Sequence, residues 1–239
     1  MHRTTRPRRL AMLAVLAMVV SLLAAAPSAA SDEGSDFLGD VYQNRGFAGE
    51  TIRLTGRPAL SEASTAAPAD IAIDFVSSHK AQFNLTADLV RQLEVEAVLG
   101  ASHGDARFVR LRQRVDGLRV ANAGLVVAID GAGRVVSVAG PLARGAATGD
   151  VAVTAQDALT VAAKAAGARL PAKLPVIEST ATTARFENTF AFGVSEPNDA
   201  LVELVWHPNF NDGSMRLAWA ADFEVDGDSW ALVYVDAAT

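Results

Sequence analysis

The chain of 239 residues is half hydrophobic and one-fifth charged, has no cysteine, and carries a formal net charge of −6. Without thiols, disulfide staples and thiol catalysis are excluded. The acidic balance argues against nucleic acid and anionic membranes as partners, because both select basic patches.

Residues 1–30 have the build of a Sec-type signal peptide. Arg3, Arg6, Arg8 and Arg9 form a positive start, Leu10 to Ala26 an apolar run, and Ser28, Ala29 and Ala30 a small-residue cleavage site. An uncleaved anchor is the rival reading, since a run of about 17 apolar residues sits at the lower limit for spanning a bilayer. The acidic Asp32 and Glu33 that follow favour cleavage. Cleavage removes four arginines and no acid, leaving 209 residues with 17 basic and 27 acidic side chains, a net charge of −10. A secreted chain with no membrane contact after cleavage is expected. Its length fits one large domain or two small ones.

Residues 31–68 read as a polar N-terminal arm and linker. The spacing of Ile71, Phe75, Val76 and Phe83 predicts a helix over 69–81, with Pro68 at or just before its first turn. Thr86 is a candidate N-cap for a shorter helix. Alternating strands follow in 93–104, 107–117, 118–131 and 133–140, with glycine-bearing turns at Val115 to Leu118 and Asp130 to Gly133. This helix and meander delimit a first domain, 69–141. The small, glycine-bearing residues 142–151 read as a linker. A second domain, 152–239, starts with an Ala-rich helix between the N-cap Thr154 and the stop Gly167. It continues into four strand segments within 184–237. The expected fold class is α+β, as two tandem small domains, each a helix packed on an antiparallel β-meander.

Catalytic chemistry is not apparent. His79, His103 and His207 precede Lys80, Gly104 and Pro208, so none opens the H-E-x-x-H helix of zinc peptidases. A site assembled from distant histidines is the alternative to helix-end and turn histidines. No serine nucleophile is expected. Asp226 and Asp228 around Gly227 resemble part of a calcium loop but lack its other ligands, which leaves a solvated hairpin turn as the plainer reading. The chain is therefore expected to be no enzyme and to hold no cofactor or metal. Trp206, Trp219 and Trp230 lie in apolar alternations that suit core packing, with a partner-facing aromatic surface as the alternative. Arg110, Arg112 and Arg114 share one strand face with Phe108, against the acidic sign of the whole chain. They are candidates for partner binding. The competing reading is a solvated face balanced by the cross-strand acids Glu94 and Glu96.

Residues 107–140, "RFVRLRQRVDGLRVANAGLVVAIDGAGRVVSVAG", resemble the fungalysin/thermolysin propeptide motif. The resemblance is carried by Gln113, Gly117, Val120, Asn122, Gly133, Ser137 and Gly140. The end of the chain is similar to PepSY-type prosegments, through Arg216, Leu217 and Trp219 and through Tyr234, Val235, Asp236, Ala237 and Thr239. The fungalysin branch of secreted zinc metallopeptidases looks most similar. The resemblance implies a prosegment that assists folding of, and inhibits, a peptidase catalytic domain in cis or in trans. Zinc would belong only to that domain, which is expected to be absent from this chain. A free-standing secreted inhibitor or binding module acting in trans is the competing function, and an enzyme in its own right is the third.

Overall fold

A computed structural model describes residues 40–41, 50–168, 174–187, 199–209, 214–226 and 229–239. The signal segment, most of the N-terminal arm, parts of the expected strand region 184–237, and Asp228 lie outside them.

The first half runs β1 (Asp40–Val41), β2 (Glu50–Thr55), α1 (Pro68–Ser78), α2 (Ala87–Arg91), β3 (Leu93–Gly100), β4 (Arg107–Val115), β5 (Leu118–Ile129) and β6 (Val135–Leu142). The second runs β7 (Ala147–Thr148), α3 (Ala155–Ala165), β8 (Val176–Ser179), β9 (Thr183–Phe186), β10 (Ala200–Pro208), β11 (Met215–Asp226) and β12 (Ser229–Asp236). Local chemistry sets several boundaries. Pro68 opens α1 at a position where its missing N–H costs nothing. The Thr86 and Thr154 hydroxyls accept the backbone N–H of Leu89 and Asp157, each at 3.1 Å. Asp116 and Gly117, at φ 50° and 78°, make the two-residue hairpin turn whose twist suits the flanking strands.

The expected fold class is overturned. The strands of the described residues join in one mixed sheet, along the path β1-β2-β6-β5-β10-β11-β12, with β3 on β4, β8 on β9 and β7 beside β11. The two meanders therefore do not form separate helix-on-sheet units. Their fusion has a physical cause in β5. Only its second half, from Val126, pairs with β6, which continues along β2 instead. The first half of β5 keeps an open edge, and β10 fills it in parallel through Val120 and Trp206. Around this bridge the Trp206 indole donates to the Val115 carbonyl at 3.0 Å, and Arg119 ion-pairs with Glu203 at 2.8 Å. A second parallel pairing sets β7 against β11, inside the stretch 142–151. Residues 50–55, in the stretch read as an arm, pair with β6.

Asn122, at φ 56°, bends β5 at the crossover. Val120 faces the core before this bend, and Ala123 and Leu125 face it afterwards. One residue in the left-handed region thus shifts the alternation and keeps both halves of β5 facing the core. Because Ala123 and Leu125 share a face, the two large core clusters lie on the same side of the sheet, and a small third one, Ala121, Val205, Ala218 and Ala220, lies on the other. All three helices of the described residues pack on the side of the two large clusters.

Candidate interaction surface

The opposite side of the sheet carries no helix among the described residues. In the first half, the strand register sets two rows across this open face. One runs Ala97, Arg110, Val126, Ala139, Arg53; the next runs Leu99, Phe108, Ala128, Ser137, Thr55. Leu99, Phe108 and Val126 are 49%, 38% and 41% exposed, which is unusual for large apolar side chains clustered on a sheet.

The structure brings Arg110, Arg112 and Arg114 together on this face and differentiates them. A bulge in β3 between Val95 and Ala97 turns Glu96 to the same side. Arg112 grips Glu96 through three hydrogen bonds of 2.7–3.1 Å. Arg114 pairs with Glu94 at 2.9 Å and donates to the Gly117 carbonyl at 3.0 Å. Arg110 reaches Glu96 only at 3.6 Å and keeps half its side chain in solvent. Arg53, on the far side of the row, is exposed and makes no ion pair with the described residues. It lies outside the expected meander, so only the β2–β6 pairing reveals it. Phe108 was readable from its phase with the arginines.

The other motif positions are structural. Gln113 is fully buried and treats Ala143 as a neighbouring strand would: its Oε1 accepts the Ala143 N–H at 2.9 Å and its Nε2 donates to the Ala143 carbonyl at 2.8 Å. Nε2 also donates to Gln92 Oε1 at 3.0 Å. Gly117 supplies the hairpin turn and Val120 the bridge to β10. A Cβ on Gly140 would stand 2.1 Å from the Gly124 carbonyl oxygen, so only glycine permits this approach of β6 to β5. Trp219 is buried, with its indole donating to the Val153 carbonyl at 2.8 Å. Val235 is buried beside it, and Asp236 accepts the Ala238 N–H at 2.8 Å.

On the second half, the open face carries Leu201, Asp222 and Leu232 in one row and Trp230 in the next. Unlike Trp206 and Trp219, Trp230 is 53% exposed, and its indole donates to the Asp222 carboxylate. Below them, a shallow cavity of about 350 Å³ is lined by His207, Arg216, Tyr234 and Asp236. Burial holds the His207 pKa below the ordinary histidine value, against a weaker opposing hydrogen bond at Pro208. Arg119, by contrast, is driven above its ordinary value: burial disfavours its charge, but Glu203 and Tyr234 outweigh that.

Among the described residues no group of three His, Asp or Glu side chains is placed to hold a metal ion, and no helix is long and apolar enough to cross a membrane. Gly100 to Gly104 spell the serine-hydrolase pattern G-x-S-x-G, against the expectation of no serine motif. That nucleophile sits on a strand-to-helix elbow. Ser102 instead lies in an exposed loop joining the antiparallel strands β3 and β4, closed by the Ala101 N–H on the Ala106 carbonyl at 3.0 Å.

Residues 102–142 match the family described as Fungalysin/Thermolysin Propeptide Motif. The match spans β4, β5 and β6, the central strands of the first half's open face, and includes the junction with the second half at Val120, while β3 and β2 lie outside it. It indicates a propeptide of fungalysin- or thermolysin-type peptidases. No curated protein matches the chain.

Proposed function

We propose that this chain is the secreted prosegment of a fungalysin-like zinc metallopeptidase, with a PepSY-like second half, and that it assists folding of the catalytic domain and inhibits it. The observation that carries this reading is the propeptide match over residues 102–142, at the strands whose outer face is uncovered. The catalytic domain, supplied in cis by a longer chain or in trans by a separate one, would bring the zinc. This chain contributes a rigid surface. A sheet ordered before encounter forfeits little conformational entropy on docking. The arginine face of Arg110, Arg112 and Arg114 forms part of that surface.

The test is to add residues 31–239 to a separately produced fungalysin-type catalytic domain. Peptide hydrolysis should slow in a saturable way, and the yield of active peptidase on refolding should rise. A chain that changes neither would overturn the proposal.

A further inference from the structure

We infer that the first half of the open face receives an apolar ridge of the partner flanked by two carboxylates about 14 Å apart. The spacing comes from the register. Arg110 on β4 and Arg53 on β2 stand in one row, separated by β5 and β6, and three interstrand steps of about 4.8 Å set their backbones about 14 Å apart. Between them lie Val126 and Ala139, and beside these Phe108 and Ala128, so the floor is apolar. Leu99 closes one end of the second row.

Charge identifies the occupant. Arg112 and Arg114 are already neutralised by Glu96 and Glu94, so they add little attraction. Arg53 has no ionic partner among the described residues, and Arg110 shares an acceptor that Arg112 holds more closely. These two guanidiniums therefore gain most from incoming carboxylates, and their planar donor array suits that ligand. Nucleic acid and anionic lipid would also meet arginine, but a chain of net charge −6 repels both at longer range. Leu99, Phe108 and Val126 are exposed and no helix of the described residues covers the face, which fits a protein surface better than a small ligand. The second half bears Trp230 and Leu232 around Asp222, the opposite sign, and so does not present a second copy of this site.

This inference rests on the prosegment reading, and its test separates the two. Inhibition of a fungalysin-type catalytic domain is measured for residues 31–239 and for the Arg53→Glu, Arg110→Glu, Phe108→Ser and Trp230→Ser variants, across a range of salt concentrations. Each arginine reversal should raise the inhibition constant at least about tenfold and flatten its salt dependence. Phe108→Ser should also weaken inhibition, and Trp230→Ser should leave it unchanged. All four side chains are exposed, so circular dichroism should match the parent. If the parent inhibits and both arginine variants inhibit equally well, this inference fails and the prosegment reading stands. A parent that does not bind removes both. A parent that sediments as a dimer which Arg110→Glu dissociates assigns the face to a second copy and overturns the inference.

Discussion

The two halves of the sheet solve the same packing problem with the bulk on opposite sides. In the first, α1 supplies large side chains, Ile71, Phe75 and Val76, and they meet mostly aliphatic strands. In the second, α3 presents Ala158, Ala162 and Ala163 with a single large residue, Leu159, and the strands provide Phe186, Trp206, Trp219 and Phe223. A helix with a small face lies close to its sheet, so the volume must come from the strands. The difference shows that helix composition alone does not measure how much core a helix organises.

The comparison breaks most severely at the largest strand residue. Trp219→Ala empties the second core and orphans the Val153 carbonyl, so it should cost about 3–5 kcal/mol in urea denaturation. All three tryptophans lie in the second half, whereas far-ultraviolet circular dichroism reports both. If the β5–β10 bridge couples the halves, the two signals should lose structure at one urea midpoint in parent and variant. Separate midpoints would mean that the halves unfold independently.

Gln113→Leu sharpens the same question at the junction. It keeps the volume roughly constant but leaves both backbone groups of Ala143 without a partner, which should cost about 3 kcal/mol, at 1–3 kcal/mol for each buried group. Gln113→Glu should not restore the parent midpoint, because a carboxylate cannot donate to the Ala143 carbonyl.

Next comes the helix face itself. Ala162→Leu adds volume where α3 meets the aromatic strands and should destabilise by about 1–3 kcal/mol. A stabilised variant would show that the second core is underfilled rather than tightly apposed.

The smallest expected effect is on pH dependence. His207 in the second half has its folded pKa depressed by burial, so the unfolded chain takes up its proton first. Its contribution to stability is complete above the unfolded value of about 6.5 and is lost as pH falls from there toward the folded value. In the first half, Asp130 is held below the ordinary carboxylate range by the Arg134 backbone N–H and guanidinium. That contribution persists above about pH 4 and is lost only at lower pH, on falling through the folded value. Mild acid should therefore act through the second half, and His207→Asn should flatten the fall in melting temperature as pH drops below about 6.5.

Much of the local structure was determined by the sequence alone. Alternation specified β4, β5, β6, β10, β11 and β12, because a half-buried strand must repeat every two residues. Thr86, Thr154 and Asp116-Gly117 specified caps and a turn, because each satisfies backbone groups within a few residues of itself. The propeptide motif was legible for the same local reason. Only the tertiary structure decided that the two meanders share one sheet, since the parallel contact of Val120 with Trp206 spans a long stretch of chain and imposes no periodicity on either strand. It also decided that Gln113 acts as a surrogate strand for Ala143, that Asn122 resets the alternation of β5, and that Arg112 is quenched while Arg53 and Arg110 are not. A side chain's type declares what it can bond to, but the partner within reach depends on elements that the chain brings together from afar.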